Sequence, residues 1–198
     1  MQPIKLITAL GNNETRYNNT RHNVGFFWLD SLCEKLQLNW HKSHHGNGSI
    51  AKWQHNNESI VLFKPGLLMN INGKPIIECA KYHHIDPQQI LIVYDELDLA
   101  VGQIKLKTDG GHGGHNGVRD FIQHGNQNHF YRLRIGIGRP QYEEVSHYVL
   151  GKIPNEDKSI INKGVELSID KLNLLINDNE HQYHQELAAW SKSNQIKE

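Results

Sequence analysis

Two polar side chains of this sequence have the types and the settings needed to activate a water molecule. His22 lies in the string Thr20-Arg21-His22-Asn23, just before a helical pattern, and Asp95 directly follows the apolar run 90–94. A neutral imidazole, whose ordinary pKa is ~6.5, can take a proton from water at neutral pH. A nearby carboxylate would keep that imidazole basic and fix its tautomer. The pair favours general-base hydrolysis, although a histidine that only begins a helix is the simpler interpretation of His22.

The sequence offers little for a covalent mechanism. It contains no Gly-x-Ser-x-Gly string, which disfavours a serine nucleophile of the α/β-hydrolase kind. Its two cysteines, Cys33 and Cys79, lie in helix-like stretches typical of buried thiols, and two are too few for a disulfide framework or a four-thiolate zinc site. Water is therefore the predicted nucleophile, and an activated ester is the bond that suits such a site.

A glycine-rich segment over residues 110–117 leaves three interpretations open. Its glycines could bring backbone N–H groups to a phosphate, although the spacing fits neither common phosphate-binding motif. His112 and His115 could bind a metal but lack a third ligand nearby, and the acids of residues 95–98 could hold Mg²⁺. We favour the third interpretation, a tight loop that presents Asn116 to a crevice and then begins a helix.

The elements that must position these residues alternate between strand and helix patterns. Such alternation predicts a single α/β domain whose mixed, mostly parallel twisted sheet is packed between helices. Ligands of such sheets gather at the carboxyl ends of strands, so Asn12 and Asp95 are expected to face one crevice. Strands are predicted over 4–10, 49–54, 59–64, 90–94, 103–107 and 131–138, and helices near 24–36, 71–84, from 118, 155–176 and 180–191.

Three details of this assignment can be checked against the structure. The first helix is expected to bury Phe27 and Trp28, and the last strand to point Arg132 and Arg134 outward. Residues 1–190 are expected to form the single domain, followed by a frayed tail over 191–198.

Composition excludes several classes of protein. The 198 residues are 37% hydrophobic and carry 21 basic and 21 acidic side chains, which excludes a disordered chain and a globally basic one. Charge is nevertheless uneven, because residues 102–139 hold six basic and two acidic side chains. This basic segment suits a phosphate backbone, although solvated strand ends would look the same. No apolar run reaches the ~20 residues of a membrane span, and the start does not resemble a signal peptide, so a cytoplasmic protein is expected.

A set of short motifs runs along nearly the whole chain, and their order and spacing together are highly specific although each motif alone is weak. The strings are Lys5-Leu6-Ile7, Gly11-Asn12, Tyr17, Thr20-Arg21-His22-Asn23-x-Gly25, Met69-Asn70, Asp95-Glu96-Leu97-Asp98, residues 110–117 and Arg132-Leu133-Arg134-Ile135-Gly136-Ile137-Gly138-Arg139-Pro140. Together they resemble the motifs of the bacterial peptidyl-tRNA hydrolase family.

The resemblance implies an enzyme that cleaves the ester between peptide and tRNA and so recycles tRNA from prematurely released peptidyl-tRNA. It implies a monomer with no cofactor, no metal, no membrane contact and no obligate protein partner. By motif, His22 corresponds to the base that activates water, Asp95 to its carboxylate, and Asn12 to the residue that distinguishes N-blocked from free aminoacyl-tRNA. The other counterparts are Asn70 and Asn116 at the substrate's 3′ end and the water, Tyr17 and Leu68 at tRNA contacts, and Lys107 and Arg134 as a clamp for the tRNA 5′-phosphate.

This chain departs from the family pattern at two places in the expected site. Asn13 and Glu14 stand where the family usually has Pro and Gly, which removes residues that pre-set a turn and affects the expected orientation of Asn12. Leu68 replaces an aromatic residue and cannot stack on a base.

Two alternatives to a peptidyl-tRNA hydrolase stay open at this point. They are a non-catalytic RNA-binding relative of the same fold and a metal- or nucleotide-dependent enzyme that uses the glycine-rich segment. The presence of His22, Asp95 and the asparagines disfavours the non-catalytic relative.

Overall fold

Seven strands form one sheet in the computed structural model, which describes residues 2–194 and 196. The sheet order is β2-β3-β4-β1-β5-β7-β6. The four strands β4, β1, β5 and β7 run parallel, while β2, β3 and β6 pair antiparallel at the two edges. The strands are β1 (Leu6–Ala9), β2 (His41–Lys42), β3 (Gly48–His55), β4 (Glu58–Pro65), β5 (Ile90–Glu96), β6 (Ile104–Lys107) and β7 (Tyr131–Gly136).

Helices cover both faces of this sheet. Helices α1 and α5–α7 pack on one face around Trp28, and α2 and α3 pack on the other around Phe121. The mixed, mostly parallel sheet between helices confirms the predicted α/β fold. The helices are α1 (Val24–Lys35), α2 (Gly73–Tyr82), α3 (Asn116–Gly125), α4 (Val145–Leu150), α5 (Asn155–Asp170), α6 (Leu172–Ile176) and α7 (Glu180–Ser193), and short 3-10 turns span Thr15–Tyr17, Arg21–Asn23, Met69–Ile71 and Pro87–Gln89.

The sequence of strand β5 explains why this strand lies in the interior of the sheet. Its residues 90–94 are all apolar or aromatic, and all of them are buried because helices cover both faces. The parallel register places Ala9 of β1 beside Val93 of β5. The segments that follow these two strands therefore leave the sheet at the same edge, which is where the polar residues of interest begin.

Two predicted orientations are wrong. Phe27 is exposed, whereas Phe26 is buried because its ring lies on the backbone of Gly11. Arg132 is buried rather than outward, with 1% of its surface accessible, because the glycine-rich segment covers this part of β7. Arg134 is partly exposed, as a strand end allows.

The C-terminal boundaries also differ from the prediction. The helical stretch over 155–176 is two helices, which are separated at Lys171. The tail predicted from residue 191 begins too early, because α7 continues to Ser193 and the buried Ser191 hydroxyl donates to the Leu187 carbonyl. Residues 195, 197 and 198 of that tail lie outside the described residues.

Candidate active site

The segments after β1 and β5, together with the turn before α1, bring Asn12, His22 and Asp95 to one edge of the sheet. Helix α1 approaches this edge closely because Gly25 has no side chain: a Cβ there would lie 2.5 Å from the Val93 carbonyl oxygen. The turn that carries His22 is also held from outside, since the Arg21 backbone N–H donates to the Gly151 carbonyl at 3.1 Å. The backbone therefore fixes where the imidazole can lie.

His22 and Asp95 are in direct contact. The Nδ1 atom of His22 lies 2.9 Å from both carboxylate oxygens of Asp95, and Asp95 is buried. Since Nδ1 faces a carboxylate, Nδ1 carries the proton of the neutral ring. Nε2 is then the ring nitrogen with a lone pair, and it is the atom that can accept a proton from water.

Electrostatics make His22 a stronger base than an ordinary histidine. Burial alone would lower the pKa of His22, but the charge and hydrogen bond of Asp95 raise it above the usual value. Burial alone would raise the pKa of Asp95, yet the neighbouring His22 and His115 hold that pKa far below its usual range. Asp95 therefore stays ionised at any pH at which His22 titrates.

His115 is a second partner of Asp95 that sequence reasoning treats only as a potential metal ligand. Its Nε2 lies 3.0 Å from Asp95 Oδ1, and its Nδ1 accepts the Val118 backbone N–H at 3.3 Å as the N-cap of α3. Because Nδ1 accepts, the ring proton is on Nε2, which donates to Asp95. The feature of the sequence that could have indicated this role is the position of His115 immediately before the helix that starts at Asn116.

The donor set favours a hydrogen-bonded triad over a metal centre. Ligand atoms of His22, Asp95 and His115 lie within 4.8 Å of one another, the only such cluster in the described part of the chain. To bind a metal, His115 Nε2 would have to lose its proton to Nδ1, which would break the N-cap of α3. His112 does not join the cluster, and its Nδ1 instead accepts the Gly114 backbone N–H at 3.1 Å.

Asn12 is fixed without the usual Pro-Gly turn. Its backbone N–H donates to Asn23 Oδ1 at 2.8 Å, and Asn23 Nδ2 donates back to the Asn12 carbonyl at 2.9 Å. Its side-chain oxygen accepts the Met69 backbone N–H at 2.8 Å. With the oxygen bound, the Nδ2 group is the part of the amide left to a substrate. Asn23 thus supplies the rigidity that the absent turn residues would have given.

Asn72 joins the two loops that meet at Asn12. This fully buried side chain accepts the Gly11 backbone N–H at 3.0 Å and donates to the Leu68 carbonyl at 2.8 Å. Sequence reasoning missed Asn23 and Asn72 because an asparagine in a loop normally predicts only a turn.

Two cavities, of about 320 and 270 Å³, lie on either side of His22. Only the first is lined by charged side chains other than His22, so the two differ in chemistry. Both are lined by His22, Asn116, Ser146 and Val149. The first also contacts Asp95, Glu96, Leu97, His112, His115 and Arg139, and the second contacts Asn12, Tyr17, Leu68, Met69, Asn70 and Leu150.

Lys107 and Arg134 lie outside these cavities, on the neighbouring strands β6 and β7. The antiparallel register pairs Lys107 with Arg132 and Lys105 with Arg134, so Lys107 and Arg134 point to the same face as diagonal neighbours. Lys107 is exposed, whereas Arg134 lies 3.4 Å from the Glu96 carboxylate. The structure therefore places the two residues of the expected clamp together, beside the site and not within it.

An imidazole on a carboxylate at the carboxyl edge of a parallel sheet, next to a cavity with many uncharged amides, is the arrangement of a hydrolase that uses water. The sequence profile of the peptidyl-tRNA hydrolase family matches residues 6–196. The chain belongs to the peptidyl-tRNA hydrolase family.

Individual relatives agree with this assignment. A peptidyl-tRNA hydrolase of Acinetobacter baumannii (strain AYE) is 40% identical over 177 residues, which cover 89% of this chain and 91% of the relative. A peptidyl-tRNA hydrolase of Pseudomonas fluorescens is 41% identical over 174 residues, covering 87% and 90%. A crystal structure of peptidyl-tRNA hydrolase from Acinetobacter baumannii superposes with a TM-score of 0.86 at 37% identity, covering 93% of this chain and 94% of that one. Within the described residues, no helix is long and apolar enough to cross a bilayer.

Proposed function

We propose that this protein hydrolyses peptidyl-tRNA with His22 as the general base and Asp95 as the carboxylate that orients it. The observation that carries the proposal is the 2.9 Å contact between His22 Nδ1 and the buried Asp95 carboxylate. A base so placed needs no metal or cofactor to generate the nucleophile. The intact pair also argues against a non-catalytic RNA-binding relative.

The reaction follows from the free Nε2 atom of His22. A water oxygen attacks the ester carbonyl carbon while its proton passes to Nε2, which leaves a tetrahedral oxyanion and an imidazolium stabilised by Asp95. The intermediate then collapses and breaks the bond to the ribose 3′ oxygen. That oxygen takes the proton from Nε2, so the products are a tRNA with a free 3′ hydroxyl and a peptide carboxylic acid, which releases its proton to solvent and becomes a carboxylate.

We assign the uncharged cavity to the 3′ end of the substrate and the peptide that it carries. Asn12, Asn70 and Asn116 line this cavity and can pair with polar groups of the substrate without adding charge. Asn70 and Asn116 would bind the 3′ end and help to place the water. The Asn12 Nδ2 group is a donor that suits the carbonyl of an N-blocked residue. A free α-amino group, whose pKa is ~7.7–8.0, is largely a cation at neutral pH and repels such a donor. We assign Tyr17 and Leu68, which line the same cavity, to contacts with the acceptor end.

The comparison of N-blocked with free aminoacyl-tRNA tests this assignment. We expect the protein to hydrolyse N-acetyl-aminoacyl-tRNA and to leave free aminoacyl-tRNA almost untouched. Asn12→Ala removes the proposed Nδ2 hydrogen bond to the substrate together with the Oδ1 contact to the Met69 N–H, and should lower kcat/KM for the N-blocked substrate at least roughly tenfold, with little change for the free one. Asn18→Ala, an exposed asparagine outside the cavity, is the matched control. An unchanged preference in Asn12→Ala would contradict the role of Asn12.

Lys107 and Arg134 would bind the tRNA 5′-phosphate on the face that they share. Each phosphate contact contributes about 0.7–0.9 to the slope of log affinity against log salt. We expect Lys107→Ala and Arg134→Ala each to weaken tRNA binding and to reduce that slope by about one. The measurement is the tRNA Kd across a salt series. Lys81→Ala, at the far end of α2, is the control, and variants that changed only kcat would overturn the clamp.

We further propose that the protein acts in the cytoplasm as a monomer without an obligate protein partner, as expected for an enzyme that acts on a product of translation. Residues 1–190 would then form one functional unit, because α7 packs on the same core as α1 and α5.

A further inference from the structure

Arg132 is a buried cation whose partners are backbone carbonyls. It lies on β7 with 1% of its surface accessible, and its guanidinium stacks 4.1 Å from the centre of the Phe130 ring. Nη1 donates to the Gly111 carbonyl at 2.7 Å, and Nη2 donates to the carbonyls of Gly110 and Asn128. No carboxylate in the described residues forms an ion pair with it. Hydrogen bonds to carbonyls and the Phe130 ring hold this buried charge without a carboxylate partner, which indicates that its position matters.

The carbonyls that Arg132 binds belong to the glycine-rich segment that leads to His115 and Asn116. The rest of this segment has few packing contacts: a Cβ built on Gly111, Gly113 or Gly114 would meet nothing within 4 Å. Gly110, Gly113 and Gly114 also have positive φ angles, which only glycine adopts easily. The glycines therefore allow the backbone of this segment more than one conformation. The Arg132 guanidinium, which reaches the segment from β7, binds its carbonyls and holds it in the observed one.

Tyr94 provides a second connection between Arg132 and His115. Its hydroxyl lies beside the Arg132 guanidinium. Its ring packs edge-on against the His115 ring, with centroids 5.0 Å apart. Tyr94 directly precedes Asp95 on β5, and its buried side chain contacts both Arg132 and the His115 ring.

We propose that Arg132 is a positioning residue for the hydrolysis, which holds the glycine-rich segment and Tyr94 so that His115 donates to Asp95. This inference rests on the proposed function, because it concerns the Asp95 carboxylate that His22 uses. Arg132 touches neither substrate nor reacting atoms in this assignment. Its effect passes through His115, which shares Asp95 Oδ1 with His22.

The direction of the expected shift in the His22 pKa follows from the competition between His22 and His115 for the Asp95 carboxylate. When His115 withdraws, it no longer donates to the carboxylate, and Asp95 interacts more strongly with His22. The pKa of His22 then rises further, and the acid limb of the rate profile moves to higher pH.

Several other titratable or charged groups surround these two side chains. The groups that face His22 in its cavity are Asp95, His115, His112, Glu96 and Arg139, and those that face Arg132 are Tyr94, Arg134 and Asp109.

The test is a double-variant cycle read by the pH dependence of single-turnover hydrolysis. We expect Arg132→Ala to lower kcat on the order of tenfold to a hundredfold, as small misplacements of catalytic groups do, and to shift the acid limb upward. His115→Ala should shift the limb in the same direction, and the double variant should shift it no further. Millimolar guanidinium should restore part of the rate of Arg132→Ala, whereas an equal ionic strength of KCl should not.

Controls separate positioning from loss of stability. Ser168→Ala removes a buried hydrogen-bond partner of Trp28 on the opposite face of the sheet and should leave the acid limb in place. Should Arg132→Ala fail to fold, Arg132→Lys and Tyr94→Phe replace it. A lysine ammonium lacks the planar fork by which Nη1 and Nη2 bind the three carbonyls, and Tyr94→Phe keeps the ring while it removes the hydroxyl. An unmoved acid limb in a folded Arg132 variant, or additive shifts with His115→Ala, would overturn the proposal. His22→Ala is run in parallel, and its full activity would instead overturn the proposed function.

Discussion

His22→Ala is expected to lower the rate constant for hydrolysis of N-acetyl-aminoacyl-tRNA by roughly 10²–10⁴-fold, the usual contribution of a general base. The alanine removes the one imidazole that lines the uncharged cavity, and the buried Asp95 carboxylate does not line that cavity. The affinity for tRNA should change less than about twofold, since the basic pair Lys107 and Arg134 lies outside the cavities. Single-turnover kinetics and tRNA binding measure the two quantities separately.

The control for this substitution is His181→Ala. His181 is exposed on α7, and its Nε2 lies 3.0 Å from the Gln185 side-chain nitrogen, away from the cavities beside His22. The control should retain the wild-type rate. A rate for His22→Ala within about threefold of that of the control would contradict the role of His22 as the base.

Asp95→Asn is expected to have an effect of similar size, on the order of 10³-fold in the rate constant, as when an amide replaces the carboxylate of a histidine pair. The asparagine oxygen can still accept from His115 Nε2, but its NH₂ group then takes the place of Oδ2 and, as a donor, faces the protonated Nδ1 of His22. The His22 ring is then free to adopt the tautomer in which Nε2 carries the proton and cannot accept another.

The same variant has a predicted pH signature. Asp95 is what raises the pKa of His22 against the effect of burial. Without the carboxylate, burial dominates, the pKa of His22 falls, and the acid limb of the remaining activity moves to lower pH. This shift is opposite in sign to that expected for His115→Ala. An acid limb that stays in place in Asp95→Asn would show that the carboxylate does not act through His22.

The sequence predicts the fold where local pattern and burial agree. Strand β5 is uniformly apolar and is indeed central, and the hairpin of β3 and β4 follows from its alternating pattern and turn. The errors fall where tertiary contacts override local preference. The alternating strand pattern predicts that Arg132 points outward, but the glycine-rich segment lies over it and its carbonyls accept from the guanidinium. The short helix α4 is not predicted, because no side-chain cap marks its start.

The candidate site is predictable only in part for the same reason. His22 and Asp95 stand out because a histidine at a helix start and an acid at a strand end are positions where ligands gather. Their contact joins residues 73 apart in the sequence, and its geometry comes from the parallel register of β1 and β5. Asn23, Asn72 and His115 are missed because their partners are distant backbone groups or a carboxylate on another element.

The most direct test of His22 as the base compares two titrations of the same protein. The pH dependence of single-turnover hydrolysis gives the pKa of the catalytic group, and nuclear magnetic resonance of the histidine ring gives that of His22. We predict that the two values coincide above the ordinary ~6.5 and fall together in Asp95→Asn. A rate that stays flat down to pH 5, or a kinetic pKa that differs from the pKa of the His22 ring, would contradict the role of His22 as the base.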